Sequence, residues 1–370
     1  MLGVTAALRK GAVRPRLRVM RLILFALMCM ATAASAQPSD FAAPGTETAR
    51  LVIYSSLDTR LAAIVIAAFQ DRHPGVTVAY EDLLTGQIAA RVEAETRAGG
   101  PTADLVFLSA MDLAVKLAND GYAREVDLPV ARDWPRWANW RDTAFAIAVE
   151  PAVMVYHRPA FPDGPPQSRA ALIRWLETAP QGRVGTYDID RSALGFLLFA
   201  RDQEHFFDIW DLAAAMGRAG TRLFPTSQEV IDRVASGELL FGYNVLGSYA
   251  ADQAAMLPDL GVVMPADFVV LISRVALIPR FARDPDLGAA FLSFLMSDDG
   301  QHLLSDQLRL PAVSPAVTGP GSLAALQDVA GDRLRPVPVG PGLLAYLDQS
   351  SRNRLLQRWQ AALAPEVSGP

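Results

Sequence analysis

From Leu51 onward, short apolar runs alternate with longer stretches whose apolar residues recur every three or four positions. Leu51–Tyr54, Val76–Tyr80 and Asp104–Leu108 read as buried strands, followed by helices over Thr59–Arg72, Thr85–Arg97 and Met111–Asn119. Pro74-Gly75 and Gly99-Gly100-Pro101 punctuate the units. This alternation predicts right-handed βαβ units and a mostly parallel sheet covered on both faces. A second set follows: a helix over Gln167–Thr178, a strand over Arg183–Tyr187, and helices in Ser192–Arg201 and Glu204–Arg218. A strand over Thr221–Phe224, a helix over Gln228–Ser236 and a strand over Leu239–Tyr243 complete it. Helices over Leu287–Met296, Asp299–Asp306 and Ser351–Leu363 end the chain.

Two long β-prone stretches, Ala144–Tyr156 and Phe268–Ile278, bracket the second set. Pro151 interrupts the first, and proline lacks the N–H that a central strand needs, so two strands meeting at a bend are expected. The pattern is that of a chain leaving one lobe, building another and returning. The fold class is α/β, with two lobes, a two-strand hinge and a ligand cleft between them. Residues 50–145 form the first part of lobe 1, 146–264 form lobe 2, and 265–370 return to lobe 1 and add C-terminal helices. Residues 37–49, rich in Pro, Ala and Ser, read as a disordered lead-in. Trp134, Trp137 and Trp140 share a helical spacing and read as a packing edge.

The N-terminus changes the compartment. Six basic residues between Arg9 and Arg21 precede the apolar run Leu22–Ala33, and Ala34-Ser35-Ala36 fits a cleavage site. Residues 1–36 therefore read as a cleaved secretory signal peptide, too short to span a bilayer, with Met20 as a second possible start. The single cysteine, Cys29, lies inside it, so the exported chain has no disulfide. Removing those six cations takes the net charge from −5 to −11. An acidic, thiol-free exported chain fits a bacterial periplasm and argues against nucleic acid or anionic membranes as partners.

Chemistry of an enzymatic kind has little support. The four histidines lack metal-site spacing, and the nucleophile-elbow, Walker and dinucleotide motifs are absent. What recurs is small polar residues where strands end: Ser55 and Ser56, Ser109, Tyr187 and Asp188, and Tyr243 and Asn244. Asp58, and Arg191 with Ser192, stand at the starts of helices. Capping explains any one of them. Their repetition at the carboxyl ends of strands in both halves points to a ligand cleft. Ser55, Ser56 and Ser192 could cradle an oxyanion with helix N-terminal amides, Arg191 could pair with it, and Tyr187, Tyr243 and Asn244 could orient it. Arg274 either reaches the cleft or pairs with a carboxylate. No cofactor, catalytic residue or metal ligand is assigned.

The stretches "LVIYSSLDTRLAAIVIAAFQDRHPGVTVAYEDL", "ADLVFLSAMDLAVKLANDGY" and "GRVGTYDIDRSALGF", with "SGELLFGYNVLGSYA", "LISRVALIP" and "FLSFLMSDDGQHLL", resemble periplasmic solute-binding proteins of bacterial ABC importers. The branch they resemble includes the ferric-ion-binding proteins. The resemblance implies a type II binding-protein fold that closes over a small solute and delivers it to an inner-membrane permease. Ferric-binding members place a His after the first strand, a Glu after the third and two adjacent tyrosines late in the second lobe. Asp58, Ala110 and the separated pair Tyr243 and Tyr249 stand at those places here. The residues suit an organic anion of phosphate, phosphonate or carboxylate type, with a ferric complex as the other candidate. A monomer is expected. A co-receptor for a membrane sensor kinase is an alternative role, and a periplasmic hydrolase would need a base that neither Ser55 nor Ser192 has beside it.

Overall fold

The structure, a computed structural model, describes Gly3 and residues 38–364; the signal-peptide reading rests on residues outside these. Strands β1 (Ser39–Phe41), β2 (Ala49–Ser55), β3 (Val76–Asp82) and β4 (Leu105–Leu108) alternate with helices α1 (Thr59–Arg72), α2 (Thr85–Arg97) and α3 (Met111–Asn119). β5 (Asn139–Trp140) leads into the long β6 (Ala144–His157). Then come α4 (Arg169–Leu176), β7 (Val184–Tyr187), α5 (Ala193–His205), α6 (Ile209–Arg218), β8 (Arg222–Phe224), α7 (Ser227–Ala235), β9 (Phe241–Leu246), α8 (Gly247–Met256) and β10 (Leu260–Val263). β11 (Val269–Leu277), α9 (Pro285–Met296), α10 (Asp298–Leu308), α11 (Leu323–Ala330), β12 (Leu334–Pro336) and α12 (Gln349–Leu363) follow. Among the described residues no helix is long and apolar enough to cross a membrane.

The sheet is mixed, running β1-β3-β2-β4-β11-β6-β9-β7-β8. Two parallel sets, β2 with β3 and β4, and β7 with β8 and β9, are joined through the antiparallel strands β11 and β6. The parallel strands are almost wholly buried, as expected of a sheet with helices on both faces. β6 is one strand where two were expected. Its first half pairs with β11 as far as Pro151, and its second half pairs with β9 from Ala152 onward. Proline falls where the partner changes, so no ladder bond is lost, and the two-lobe organisation hinges on this crossing.

The lead-in is ordered from Ser39, against expectation. β1 pairs antiparallel with β3, Gln70 Nε2 donates to the carbonyls of Phe41 (3.0 Å) and Ala42 (3.1 Å), and Arg50 pairs with Asp40. Long-range pairing of this kind has no local signal. The tryptophan segment forms short 3₁₀ turns and β5 rather than an α-helix. Trp134 is buried and donates its indole N–H to the Ala146 carbonyl at 2.9 Å, which is a packing role.

Candidate functional site

A cavity of about 270 Å³ lies between the two parallel strand sets, at the carboxyl ends of their strands. One wall comes from the β2, β3 and β4 ends: Ser56, Asp58, Asp82, Thr85, Gln87 and Ser109. The other comes from the β7, β8 and β9 ends: Tyr187, Arg191, Ser192, Thr226, Ser227, Gln228, Leu246 and Tyr249. Of the sequence candidates, Ser56, Asp58, Ser109, Tyr187, Arg191 and Ser192 thus come together here.

The first wall begins with two neighbouring parallel strands. Ser109 N–H donates to Ser56 Oγ at 3.1 Å, and the two hydroxyls lie 3.3 Å apart. The N-terminus of α1 is already closed. Asp58 Oδ1 accepts from Arg60 N (2.9 Å), and Asp82 Oδ2 accepts from Thr59 N (3.2 Å). The Asp58 N–H itself donates to the Tyr249 hydroxyl at 3.0 Å, from the opposite wall. Burial raises the Asp82 carboxyl above the usual range, opposed by its hydrogen bond from Thr59. Arg60 reaches Asp252 at 2.7 Å beside this, a second tie across the cleft.

Other helix starts are less fully used. On α5, Ser192 caps through Gly195 N (3.2 Å), while no acceptor within the described chain takes the Ala193 and Leu194 N–H groups. On α7, Thr226 caps through Glu229 N (3.2 Å), leaving the Ser227 and Gln228 N–H groups in the same position. α2 also begins at the cavity, with Thr85 and Gln87. Three positive helix ends and Arg191 therefore border one space, against the Asp58 and Asp82 carboxyls on its first wall, and the helix ends favour an anion. Tyr187 is held by a 2.5 Å bond between its hydroxyl and Ser227 Oγ. Gly195 lets α5 approach it, since a Cβ there would lie 2.4 Å from Tyr187 Cβ.

Four candidates lie elsewhere. Ser55 is fully buried, and its Oγ accepts from Leu57 N at 3.0 Å, shaping the turn before α1. Asp188 accepts from the backbone of Asp190 (3.2 Å) and Arg191 (3.4 Å), so it positions the Arg191 turn without lining the cavity. Tyr243 and Asn244 both contact Asp202 Oδ2, the Tyr243 hydroxyl donating at 2.5 Å and Asn244 Nδ2 at 2.8 Å. Asp202 also takes Arg169 at 2.7 Å, and this whole network is buried inside lobe 2. Asn244 has φ of +65°, and the β6–β9 register shifts opposite it, so neighbouring side chains reach one carboxylate instead of alternating faces.

Sequence reasoning missed Asp82 at the end of β3 with Thr85 and Gln87 after it, Thr226, Ser227 and Gln228 after β8, and Leu246 at the end of β9; Tyr249 it placed only as one of a separated tyrosine pair. The signal was present: Thr226 with Glu229 is a capping-box pair at a strand end. β9 runs three residues further than expected, so its true end is Leu246. Among the described residues no group of three or more His, Cys, Asp or Glu side chains is placed to hold a metal ion.

Residues 65–329 match the family described as bacterial extracellular solute-binding protein. The substrate-binding protein of an ABC transporter from Agrobacterium tumefaciens is 50% identical, with a TM-score of 0.86, covering 88% of this chain and 98% of that one. The periplasmic binding protein AfuA from Actinobacillus pleuropneumoniae, with fructose-6-phosphate bound, is 17% identical at a TM-score of 0.71, covering 86% and 99%. Iron-bound HitA from Pseudomonas aeruginosa is 16% identical at 0.62, covering 85% and 99%. These last two share the fold. No curated protein matches the chain at a significant level. A two-lobe fold with a cleft at the carboxyl ends of both strand sets, matched over most of its length by such proteins, makes this chain a member of the bacterial extracellular solute-binding family and the substrate-binding component of an ABC transporter.

Proposed function

We propose that the solute is a small organic anion, of phosphate, phosphonate or carboxylate type, held in the cleft and delivered to the permease by hinge closure. The observation that supports this most is the convergence of the α2, α5 and α7 N-termini and Arg191 on one cavity. Helix N-termini offer N–H donors and a positive field together. A solute touching both walls favours the closed arrangement by its difference in affinity for the two states, and no more. The fructose-6-phosphate carried by AfuA is a ligand of this chemical type, in a protein of the same fold. A ferric complex is less well supported: Ala110, which stands where ferric-binding members place a carboxylate, is buried and has no ligating atom in its side chain. Export through a signal peptide to the periplasm fits this role.

A thermal-shift panel on refolded protein tests the reading, with Fe(III) with and without citrate, organic phosphates and phosphonates, small carboxylates and neutral sugars. A specific solute at a thousand times its Kd adds about 4 kcal/mol, a shift of several degrees. A shift with the anions supports the reading; a shift with Fe(III) alone or a neutral sugar alone refutes it.

A further inference from the structure

Arg274 is fully buried at the crossing between the lobes. It stands on β11 where the register with β6 shifts between Arg274 and Val275. Irregularities of this kind re-aim a side chain out of the regular pleat. Arg274 Nε donates to Glu150 Oε1 at 2.6 Å. The second Glu150 oxygen accepts from the Ser248 hydroxyl (2.5 Å) and N–H (3.3 Å). Both Nη atoms of Arg274 are buried with no acceptor among the described residues. The ion pair therefore occupies one edge of the guanidinium and leaves the other unsatisfied, which is costly for a buried charged donor. That other edge is a planar two-nitrogen fork, the geometry that carboxylate and phosphoryl oxygens match in pairs.

One residue that lines the cavity packs against this guanidinium. The Tyr249 ring centre lies 5.5 Å from Arg274 Cζ. Asp82, Tyr187 and Tyr249 line the cavity, from both walls. The groups in contact with Arg274 are Glu150 on β6 and the Tyr249 ring on α8. Only Glu150 forms an ion pair with it among the described residues.

We propose that Arg274 is a ligand-binding residue whose Nη edge receives two oxygens of the solute's anionic head group, the Tyr249 ring turning aside to admit it. This rests on the oxyanion reading above and adds the residue that anchors the charge. It also gives the solute a direct link to the hinge, because Arg274, Glu150 and Ser248 join β11, β6 and the start of α8.

Calorimetric titration of the refolded protein with inorganic phosphate, methylphosphonate, glycerol 3-phosphate, fructose 6-phosphate and acetate tests this. Wild type is compared with Arg274→Lys, which keeps the charge but not the fork, and with Tyr243→Phe, which alters the buried lobe 2 network away from the cavity. Arg274→Lys is expected to lose about tenfold or more in affinity for the probe that binds, and Tyr243→Phe to stay within about threefold. Unchanged affinity in Arg274→Lys overturns the proposal, and so does an equal loss in both variants, which marks a structural role. If neither variant folds, a crystal structure of wild type with the bound probe decides: an Nη–oxygen distance near 2.7–3.2 Å supports the proposal, and one beyond about 4 Å overturns it. Wild type that binds none of the probes overturns this proposal and the oxyanion reading together.

Discussion

Replacing Tyr243 with phenylalanine keeps the ring and deletes one oxygen. That oxygen donates to Asp202 at 2.5 Å and accepts from Arg169 Nε at 2.8 Å, both partners being fully buried. Asp202 keeps Arg169 Nη2 (2.7 Å) and Asn244 (2.8 Å), while Arg169 keeps Asp267 (3.0 Å) and the Phe268 carbonyl (2.9 Å). The loss is therefore that of one charge-assisted bond on each partner inside a network that otherwise stands. Hydrogen bonds to charged groups contribute about 1.5–3 kcal/mol, and the remaining partners limit the penalty to roughly 2 kcal/mol. At roughly 2–4 °C per kcal/mol, Tm falls by roughly 4–8 °C. Calorimetric scans read the stability, and titration of the same sample reads solute affinity. A lower Tm with affinity kept is the expected pair of results. Unchanged Tm with weakened binding refutes the structural assignment and puts Tyr243 back in the cleft.

Arg191→Ala is expected to weaken an anionic solute by about 1.5–3 kcal/mol without lowering the Tm of the solute-free protein, read by titration and scanning. Tyr249→Phe removes the acceptor of the Asp58 N–H across the cleft, so small-angle scattering should show a larger radius of gyration for the solute-free variant than for wild type. Gly195→Ala forces a methyl group against Tyr187 Cβ at 2.4 Å and should lower both Tm and affinity. Asp112 is fully buried, and burial raises its carboxyl to about 7, against lowering by Leu113 N–H and by Arg201 and Arg352. The folded state then holds a proton that the unfolded state has lost between pH 4 and 7, so this group's stabilising contribution is full below pH 4 and is lost as pH rises through 7. Relative to Asp112→Asn, wild-type Tm should fall across that window; parallel profiles would refute the assignment.

The helices after the first three strands were legible almost to the residue. α1, α2 and α3 carry long apolar stripes with clear breaks, and Asp58 caps the first of them. The two-lobe plan was legible because Ala144–Tyr156 and Phe268–Ile278 are too long and apolar for ordinary strands of one lobe. What was hidden depends on pairing rather than pattern. β1 exists through its contacts with β3 and Gln70, and the single β6 exists because its neighbours change at Pro151. The site followed the same division. Strand-end serines such as Ser56 and Ser109 meet because β2 and β4 are parallel neighbours, which the alternation predicts. Tyr243 and Asn244 left the cleft because an irregularity in β9 turned both toward Asp202, and no composition rule anticipates that. Of the two options left open for Arg274, the carboxylate pairing is present, Nε donating to Glu150, and its reach into the cleft is the proposal that the partnerless Nη edge motivates.

Native mass spectrometry of the protein taken gently from its host, followed by accurate mass of whatever solute it releases, tests the central claim most directly. A single bound species carrying a phosphoryl, phosphonyl or carboxyl group is the predicted result. A neutral sugar, or iron without an organic anion, would contradict it.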